Sequence, residues 1–410
     1  MRRNMSQQNE NFLTRRHLMQ KAATTASFAI LQSNQVRGTE ANARIKIGCI
    51  GLGTRGRMIA NFFKDHGGFE MYAACDYFGD VVSQVGEQLG VAKERCFRGL
   101  LGYKRLIASG VEAVALETPP YCFPDHATAA VEAGCHVYVA KPVAVDVPGA
   151  MQIRKAGRRA TQQKKVFRVD FQMRVNPYLI ECIKHLREGM LGKIHFIRSS
   201  YDDEGYRDPP LEKTIAGRLR GLVWANDVEL GGGKLVNSGI HAIDAALWIA
   251  GEVPVSASGS AAVVRPEPHG STQDIYSVTY RFKGDRLIVN HTGEHFKNLN
   301  SRIGYCDVYG QDGYMEARYS EKSWIRSNKG GYKGGEKPDI YRWGAQENIR
   351  IFHQSITGGV FDNPTVEASV NSTLVSILGR EAATAHTTVT MDELIRQNKK
   401  LEPDLSGLES

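Results

Sequence analysis

R-I-K-I-G-C-I-G-L-G-T-R-G-R-M-I-A-N-F-F, residues 44–63, is the stretch around which the rest of the chain is arranged. It begins with a short apolar run rich in isoleucine, which is typical of a buried strand. It ends with apolar residues at helical spacing, namely Met58, Ile59, Phe62 and Phe63. Three glycines separate the two parts. The pattern therefore predicts a strand, a tight turn and the start of a helix.

The glycines Gly51, Gly53 and Gly56 have the spacing G-x-G-x-x-G. In such a unit the first glycine permits the turn, the second lets a pyrophosphate approach the backbone, and the third allows close helix packing. The helix N-terminus adds free N–H groups and the positive end of its dipole. The expected dinucleotide contacts of the loop are Gly51, Leu52, Gly53, Thr54, Arg55 and Gly56. Because the same spacing also arises from packing alone, its context has to support it.

Asp76 supplies part of that context. It ends a second β-rich run, residues 69–75, and lies 25 residues after Gly51. A carboxylate at this distance accepts hydrogen bonds from the ribose hydroxyls of the adenosine half. It disfavours a 2′-phosphate, and no arginine directly follows it, so the sequence predicts NAD in preference to NADP. The alternative is that Asp76 only forms the turn at the end of the strand.

Strands and helices continue to alternate over residues 44–171, which predicts an α/β domain with a doubly wound parallel sheet of the Rossmann type. Ligands of such sheets bind beyond the carboxyl ends of the strands. Apolar runs end at Thr118-Pro119-Pro120 and again at Ala140-Lys141, so these residues are expected at the same edge as the glycine loop. The further cofactor contacts predicted there are Thr118, Pro119, His126 and Lys141.

Residues 172–398 have a different pattern and are predicted to form a second, α+β domain. Short alternating strands with glycine turns, over residues 255–317, indicate a large and mainly antiparallel sheet that is open on one face. A loop that runs into a helix, residues 230–250, places Asn237 and His241 four residues apart and so on one helical face. The remaining expectations are a surface excursion over residues 322–341 and a loose tail over residues 399–410.

Composition excludes several classes of protein. The 410 residues are 42% hydrophobic and 23% charged, which is ordinary for a globular chain. The net charge of +8 is not arranged in stripes with aromatic residues, so no nucleic-acid partner is expected. Seven cysteines without a C-x-x-C pair match neither a zinc cluster nor a disulfide framework. No apolar stretch reaches 18 residues, so no membrane span is expected.

The segment from His291 to His295 matches H-x-x-E-H, a metalloprotease pattern that requires a helix to bring both histidines to one metal. Here the pattern follows a predicted strand and contains a glycine. A turn near the substrate is therefore favoured over a zinc site, and no metal is expected. Either histidine could touch the substrate.

Residues 1–43 resemble a signal peptide of the twin-arginine type. Arg15-Arg16 precedes a modestly apolar stretch, and Ala41-Asn42-Ala43 supplies an A-x-A cleavage site. The segment has six arginines and lysines against two glutamates, so it carries about half of the net charge. We expect a periplasmic protein that is exported already folded. The alternative is a disordered basic tail on a cytoplasmic enzyme.

With these motifs in place, the chain resembles the Gfo/Idh/MocA oxidoreductase family. The resemblance runs from Ile45 to Arg396. It rests on G-C-I-G-L-G-T-R-G, C-D, E-T-P-P, H-V-Y-V-A-K-P and G-G-G-K-L-V-N-S-G-I-H-A-I-D, at residues 48–56, 75–76, 117–120, 136–142 and 231–244. It implies that Lys141 reaches the nicotinamide and a substrate hydroxyl, and that His241 faces it from the second domain. It also implies a homo-oligomer formed through the open sheet.

Two residues depart from the family pattern. Ala140 stands where the family usually has a glutamate, and Asn237 stands where its dehydrogenases commonly have an aspartate. Because asparagine cannot accept a proton, the expected general base is His241 or Lys141, and Asn237 is left to hold a substrate hydroxyl. A lysine beside an oxidised nicotinamide has a lowered pKa, which favours its neutral amine.

The first functional hypothesis is an exported NAD-dependent oxidoreductase that acts on a secondary hydroxyl or ketone of a sugar or glycoside. Arg174, Trp224 and His241 are its expected substrate-binding residues. A rival is an NAD-dependent glycoside hydrolase that oxidises its substrate transiently with a bound, recycled cofactor. A third hypothesis, left open by the residues at positions 140 and 237, is a non-catalytic cofactor-binding sensor.

Overall fold

A computed structural model describes residues 44–203, 206–211, 214–296 and 303–408 of the protein. The predicted export signal, residues 1–43, lies outside this part of the chain. The described residues confirm the expected fold class, with a parallel Rossmann sheet followed by a larger and mainly antiparallel sheet.

The first sheet has six parallel strands in the order β3-β2-β1-β4-β5-β6. The strands are β1 (Ile45–Ile50), β2 (Phe69–Asp76), β3 (Cys96–Arg98), β4 (Ala113–Leu116), β5 (His136–Ala140) and β6 (Phe167–Asp170). The helices between them are α1 (Thr54–His66), α2 (Gly79–Leu89), α3 (Gly102–Ala108), α4 (Phe123–Glu132) and α5 (Val147–Gln162). The order reverses between β1 and β4, and a ligand crevice opens at such a switch point.

The central strands of this sheet are buried on both faces, which explains their continuous apolar sequences. Ile47 and Ile50 of β1 point to opposite faces and join two separate apolar clusters. Under α1, Phe63 packs edge-on against Phe69 and Tyr138, with ring centroids 4.8 and 5.2 Å away. This packing fixes α1, and with it the glycine turn that precedes the helix.

The second sheet has nine strands in the order β14-β13-β12-β11-β7-β10-β9-β8-β15. They are β7 (Ile194–Asp203), β8 (Ser256–Ala262), β9 (Ile275–Arg281), β10 (Ile288–His295), β11 (Gly304–Gly310), β12 (Gly313–Arg318), β13 (Ser323–Ser327), β14 (Gly330–Gly335) and β15 (Thr388–Thr390). Only the β7–β10 pair in it is parallel. The later helices are α6 (Pro177–Arg187), α7 (Ile215–Leu219), α8 (Val228–Gly231), α9 (Ile240–Ala250), α10 (Ile340–Gly358), α11 (Thr365–Thr384) and α12 (Met391–Gln397).

The prediction of a surface excursion over residues 322–341 is wrong. Much of this segment forms the hairpin of β13 and β14 at the edge of the second sheet, with Ile325 paired to Tyr332. Ile325 is buried, and Gly335 lies against the ring of Tyr178 in α6. The glycines and lysines of β14 conceal the strand pattern because an edge strand needs few apolar residues.

The tail after residue 398 makes a specific contact. The Leu401 N–H donates to Asp146 Oδ2 over 2.8 Å. Asp146 also caps α5, because its other carboxylate oxygen accepts from the Gly149 N–H. The segment is therefore attached at Leu401, and the expectation of a loose tail is corrected at that point.

Helix α11 packs against helix α5 of the first domain. The side chain of Val366 packs directly against Gly157 of α5, where a Cβ would lie only 2.5 Å from it, and Glu367 binds Arg154 of α5 at 2.9 Å.

In the described part of the chain no helix is both long and apolar enough to cross a membrane. The same residues hold no cluster of three or more potential metal ligands.

Candidate active site

The glycine loop has the close contacts that a dinucleotide turn requires. Gly51 has φ +89°, and a Cβ there would lie 2.6 Å from the backbone of Glu117. A Cβ at Gly56 would lie 1.9 Å from the Gly51 carbonyl oxygen, so this glycine lets α1 pack against the turn. At Gly53 a Cβ would meet nothing within 4 Å. The backbone is therefore open to a ligand at Gly53, where no side chain caps the N-terminus of α1.

Asp76 holds the glycine loop in place. Its Oδ2 accepts a hydrogen bond of 2.7 Å from the Leu52 N–H, and its Oδ1 accepts one of 3.0 Å from the Phe78 N–H. Burial raises the pKa of Asp76, and these two N–H groups oppose the rise. The predicted cofactor contact of Leu52 is not supported by the structure. Its side chain is fully buried in the core, and its N–H donates to Asp76.

A cavity that we name the dinucleotide cavity extends from the glycine loop along the switch point. The predicted residues that line it are Gly51, Gly53, Asp76, Thr118, Pro119, His126 and Trp224. His126 lies 3.5 Å from the Thr118 hydroxyl, and its ring centroid is 4.1 Å from that of Tyr103. Burial lowers the pKa of His126 to about 4, so the ring is neutral near pH 7.

A second cavity, the lysine cavity, adjoins the first and shares Gly53, Thr118 and Trp224 with it. The other predicted residues that line it are Thr54, Arg55, Gly56, Lys141, Asn237 and His241. The two cavities together form one cleft between the end of the first sheet and the segments that follow it. The structure thus gathers the predicted residues of both domains, apart from Leu52 and Arg174.

Lys141 follows β5 and lies against the second half of the chain. Its Nζ donates a hydrogen bond of 2.7 Å to the main-chain carbonyl oxygen of Asn237. Burial lowers the pKa of the Lys141 ammonium to about 7, and the nearby Arg55 guanidinium adds to the effect. A substantial fraction of Lys141 is therefore a neutral amine at physiological pH.

Asn237 belongs to a π-helical turn, residues Leu235–Gly239, that precedes α9. Such turns interrupt the regular hydrogen bonding of a helix and are frequent at functional sites. The turn presents the Asn237 carbonyl oxygen to Lys141 and leaves the Asn237 side chain, which is 6% exposed, in the lysine cavity. The residue type at position 237 is therefore not what holds Lys141.

His241 lies one helical turn after Asn237, at the start of α9. Its ring stacks on Tyr201 at 5.2 Å and meets Tyr319 edge-on at 5.2 Å. Its Nδ1 is buried and has no hydrogen-bond partner among the described residues. Burial, with the positive charges of Lys141 and Arg55, holds the pKa of His241 well below its ordinary value. His241 is thus a neutral hydrogen-bonding group.

Arg174 does not line the cleft, which corrects its predicted role in substrate binding. Its Nε and Nη2 each donate a 2.8 Å hydrogen bond to the carboxylate of Asp244. Ser372 donates to the same carboxylate over 2.6 Å. A buried carboxylate with this set of donors needs the guanidinium as its counter-ion, so Arg174 instead links the segment before α6 to Asp244 of α9, and Ser372 links the same carboxylate to α11.

The H-x-x-E-H segment lies in strand β10, so its residues cannot form the helical site that the pattern requires. His291 Nδ1 lies 2.9 Å from Ser199 Oγ, and His295 Nδ1 lies 3.1 Å from Asp203 Oδ1. Both rings are buried. The predicted turn is therefore wrong, and these histidines bond to β7.

Two family models match the chain. The model described as "Oxidoreductase family, NAD-binding Rossmann fold" matches residues 45–171, and the "GFO/IDH/MocA C-terminal domain" matches residues 181–316. The chain belongs to the Gfo/Idh/MocA family. NAD is therefore confirmed as the expected cofactor, and the open backbone at Gly53 fits its pyrophosphate.

Individual relatives are distant. The chain is 22% identical over 276 residues to inositol 2-dehydrogenase of Rhizobium meliloti (strain 1021), which is 67% of this chain and 75% of the relative. It is 25% identical over 214 residues to D-glucoside 3-dehydrogenase of Escherichia coli (strain K12), covering 50% and 54%. Scyllo-inositol dehydrogenase from Lactobacillus casei, solved with NAD(H) and scyllo-inositol, has a TM-score of 0.66 at 17% identity, covering 85% and 99%.

A buried cluster of charged side chains beside the cleft was not predicted from the sequence. Arg55 binds Glu117, which follows β4, and Asp170, which ends β6, the two strands on either side of β5. Both acids come at the end of a buried apolar strand, A-V-A-L-E and F-R-V-D, and that signal could have revealed them. Other residues that line the lysine cavity and were not predicted include Gln172, Tyr201, Tyr206, Ser238 and Tyr341.

Proposed function

We propose that the protein is an NAD-dependent dehydrogenase that oxidises a secondary hydroxyl of a cyclic polyol, sugar or glycoside. The observation that carries this proposal is the position of the Lys141 amine, in a cavity continuous with the glycine loop. Its lowered pKa, about 7, lets it accept a proton from an alcohol at physiological pH. When bound there, NAD supplies the acceptor for the hydride.

We assign the role of general base to Lys141 and that of a hydroxyl-binding group to His241. The sequence leaves both residues as candidates. A histidine whose pKa is held well below its ordinary value is a weak base, whereas the Lys141 amine has a pKa near the working pH. His241 Nδ1 and the Asn237 side chain remain to bind neighbouring hydroxyls.

The aromatic part of the lining of the lysine cavity suits a neutral ring. Tyr201, Tyr206, Trp224 and Tyr341 offer aromatic faces and hydroxyl groups and carry no charge that would demand an ionic substrate. Gln172 Nε2 is buried and has no hydrogen-bond partner among the described residues. Aromatic faces pack on the C–H faces of a sugar ring while such polar groups bind its hydroxyls.

A panel of inositols, monosaccharides and glucosides tests the proposal in the presence of NAD. Net formation of NADH with one of them, followed by its absorbance, is the expected result. Sugar release without net NADH would instead support transient oxidation by a recycled cofactor. Neither signal over the panel would leave the cofactor-binding sensor as the remaining hypothesis.

The hydrolase remains a second candidate because the dinucleotide cavity is lined partly by residues from beyond the first domain, which we name its roof. These residues are Leu219, Arg220 and Leu405. Arg220 forms two hydrogen bonds to Asp80, of 3.0 and 3.1 Å, and its guanidinium lies 4.1 Å from the Phe78 ring centroid. A roof of this kind favours a retained cofactor, which a redox-neutral reaction needs.

We propose NAD in preference to NADP, because the Asp76 carboxylate lies in the dinucleotide cavity. Asp76→Ala should weaken NAD binding about tenfold and reduce discrimination against NADP, since hydrogen bonds to a charged group are lost. Fluorescence titrations with both cofactors measure the two affinities. Asp65→Ala, an exposed position on α1, is the control. Unchanged affinities in the Asp76 variant would contradict the assignment.

We also propose that residues 1–43 direct export to the periplasm through the twin-arginine route. The supporting features are Arg15-Arg16, the apolar stretch and the A-x-A site. All seven cysteines are free thiols, which agrees with folding in a reducing compartment before export. A fusion of residues 1–43 to a folded reporter should reach the periplasm. Retention of export when both arginines are replaced by lysine would contradict the proposal.

We propose further that the open face of the second sheet joins two or more copies of the chain. Along β9 the buried residues Tyr276, Val278 and Tyr280 alternate with the more exposed Ser277 and Thr279. One face of the sheet is therefore covered within the chain and the other is not. Light scattering should give a mass above that of one chain, and a monomer at micromolar concentration would contradict this.

A further inference from the structure

Glu117 is a buried carboxyl group at the junction of the two cavities. It follows β4 and lines both the dinucleotide cavity and the lysine cavity. Its side chain is 3% exposed, and its Oε2 lies 3.3 Å from Arg55 Nε. Its Oε1 is buried and has no hydrogen-bond partner among the described residues. Such an oxygen is destabilised while the group is ionised, and a proton on the carboxyl relieves that cost.

Arg55 has a second carboxylate partner beside Glu117. Its Nη2 donates to Asp170, which is fully buried and accepts a second hydrogen bond of 2.7 Å from Asn348 Nδ2. Burial lowers the pKa of Arg55, but the negative charges of Glu117 and Asp170 raise it by more than burial lowers it. The pKa is therefore raised overall, and the guanidinium stays charged. Each oxygen of Asp170 therefore has a donor, and Glu117 is the carboxyl with an unbonded oxygen.

The other titratable groups around Glu117 are Cys49 of β1, Tyr138 of β5, Lys141, and Tyr341 of α10, which lies against Arg55. Burial raises the pKa of Cys49 to about 12 and that of Tyr138 well above its ordinary value, so both stay uncharged. Burial also raises the pKa of Glu117 to about 7 and lowers that of Lys141 to about 7. Glu117 and Lys141 are therefore the groups whose protonation state can change near pH 7 when the charge in the cleft changes.

We propose that Glu117 is ionised when the oxidised cofactor occupies the cleft and holds a proton when the reduced cofactor does. Hydride transfer to the nicotinamide removes one positive charge from a cleft that water screens poorly. Proton uptake by Glu117 in the same turnover leaves the total charge unchanged. The alcohol gives up a hydride to the nicotinamide and one hydroxyl proton to Lys141 and becomes a ketone. Transfer of that same proton from Lys141 to Glu117 returns the amine to its neutral form, so one hydride and one proton account for the whole step.

Calorimetric titration tests this inference without a substrate. NAD⁺ and NADH are titrated into the whole chain at pH 7, in buffers with different ionisation enthalpies. The dependence of the heat on the buffer gives the number of protons exchanged. We expect NAD⁺ binding to release a fraction of a proton that NADH binding does not release. This difference should become smaller in Glu117→Gln, which keeps the shape of the side chain and cannot titrate, and the part that remains there belongs to Lys141.

Lys141→Met is the matched comparison, since a positive nicotinamide also disfavours the Lys141 ammonium. A difference that persists in this variant supports the assignment to Glu117. A difference lost in Lys141→Met and kept in Glu117→Gln would overturn it, as would equal proton exchange for NAD⁺ and NADH in the wild type. The inference rests on the proposed hydride transfer. A chain that shows the difference in proton exchange between NAD⁺ and NADH but oxidises no substrate would contradict only the proposed function.

Difference infrared spectroscopy gives an independent measurement on the wild-type chain, in case the glutamine variant does not fold. The spectrum with NADH minus the spectrum with NAD⁺ should contain a gained carboxylic-acid band. Labelling the glutamate carboxyl carbons with carbon-13 should shift that band. A spectrum without such a band would overturn the proposal.

Discussion

Two lysines of this chain, the half-buried Lys141 and the buried Lys234, have opposite surroundings. Lys234 is 1% exposed, and its Nζ lies 3.2 Å from Asp274 Oδ1 and donates to the His295 carbonyl oxygen at 2.6 Å. The Nζ of Lys141 donates to the Asn237 carbonyl oxygen and forms no ion pair with a carboxylate among the described residues. Lys234 thus has a counter-ion, whereas Lys141 has a carbonyl oxygen as its partner and lines the cleft.

The difference teaches that burial alone does not make a lysine reactive. Asp274 also binds Arg265 Nη1 at 2.6 Å and accepts from the Val264 N–H at 2.8 Å, so its negative charge is well held beside Lys234. That charge favours the ammonium form and opposes the lowering of its pKa by burial. Without such a partner, the Lys141 amine can lose its proton near pH 7.

The largest effect is expected for Lys141→Met. The variant keeps the length of the side chain and removes the amine, so kcat should fall by about a thousandfold. NAD affinity should stay nearly unchanged, and the free energy of unfolding should not fall, because an ammonium without a counter-ion is costly to bury. Steady-state kinetics, cofactor titration and denaturant unfolding measure the three quantities. Full activity in this variant would refute the assignment of the base.

Lys234→Met should give the reverse pattern and serves as the control. It removes a hydrogen bond and an ion pair from a buried cluster, so the free energy of unfolding should fall by about 2 kcal/mol. The kcat of the folded protein should change little, because Lys234 does not line the cleft. If this variant lost activity and kept its stability, the division between the two lysines would be wrong.

The pH dependence of oxidation is the next test of the comparison. Lys141 has to be neutral to accept a proton, and its pKa is lowered to about 7. The value of kcat/KM for the alcohol should therefore rise with pH up to about 7 and level off above it. Reduction of the ketone needs the ammonium and should decline over the same range. An oxidation profile that still rises steeply at pH 9 would contradict the lowered pKa.

Asn237→Asp should have the smallest effect and the most specific one. The main-chain carbonyl oxygen that holds Lys141 is unchanged, while the new carboxylate makes its surroundings resemble those of Lys234. The pKa of Lys141 should rise, and the acid limb of the oxidation profile should move up by about one pH unit. Asn237→Ser adds no charge and should leave the limb in place. Equal shifts in both variants would show that the carboxylate is not the cause.

Much of the first sheet could be predicted from the sequence. The apolar run that leads to Thr118-Pro119-Pro120 is β4, and the run predicted at 69–75 is β2 extended by Asp76. Parallel strands that alternate with helices bring their carboxyl ends to one edge, so the sequence also placed the glycine loop, Asp76, Thr118 and Lys141 together. This part follows from local patterns and a topological rule.

Pairings between charged residues could not be predicted in the same way. Arg174 was expected to bind the substrate because it is positive and can hydrogen-bond hydroxyl groups, yet it binds Asp244, 70 residues later. Arg55 was expected to contact the cofactor, and its side chain binds Glu117 and Asp170. The partner of a long charged side chain depends on which elements pack beside it, and the spacing of residues along the chain does not contain that information.

By itself, therefore, the sequence determined a dinucleotide turn, a lysine at the end of a neighbouring strand and a histidine one turn after an asparagine. These features depend on spacing within single elements. Only the tertiary structure decided how the lysine is used. A π-helical turn from the second half of the chain gives Lys141 a carbonyl oxygen, whereas Asp274 gives Lys234 a counter-ion. The charge of a buried group is set by neighbours that are distant in sequence, because desolvation and Coulomb interactions act through space.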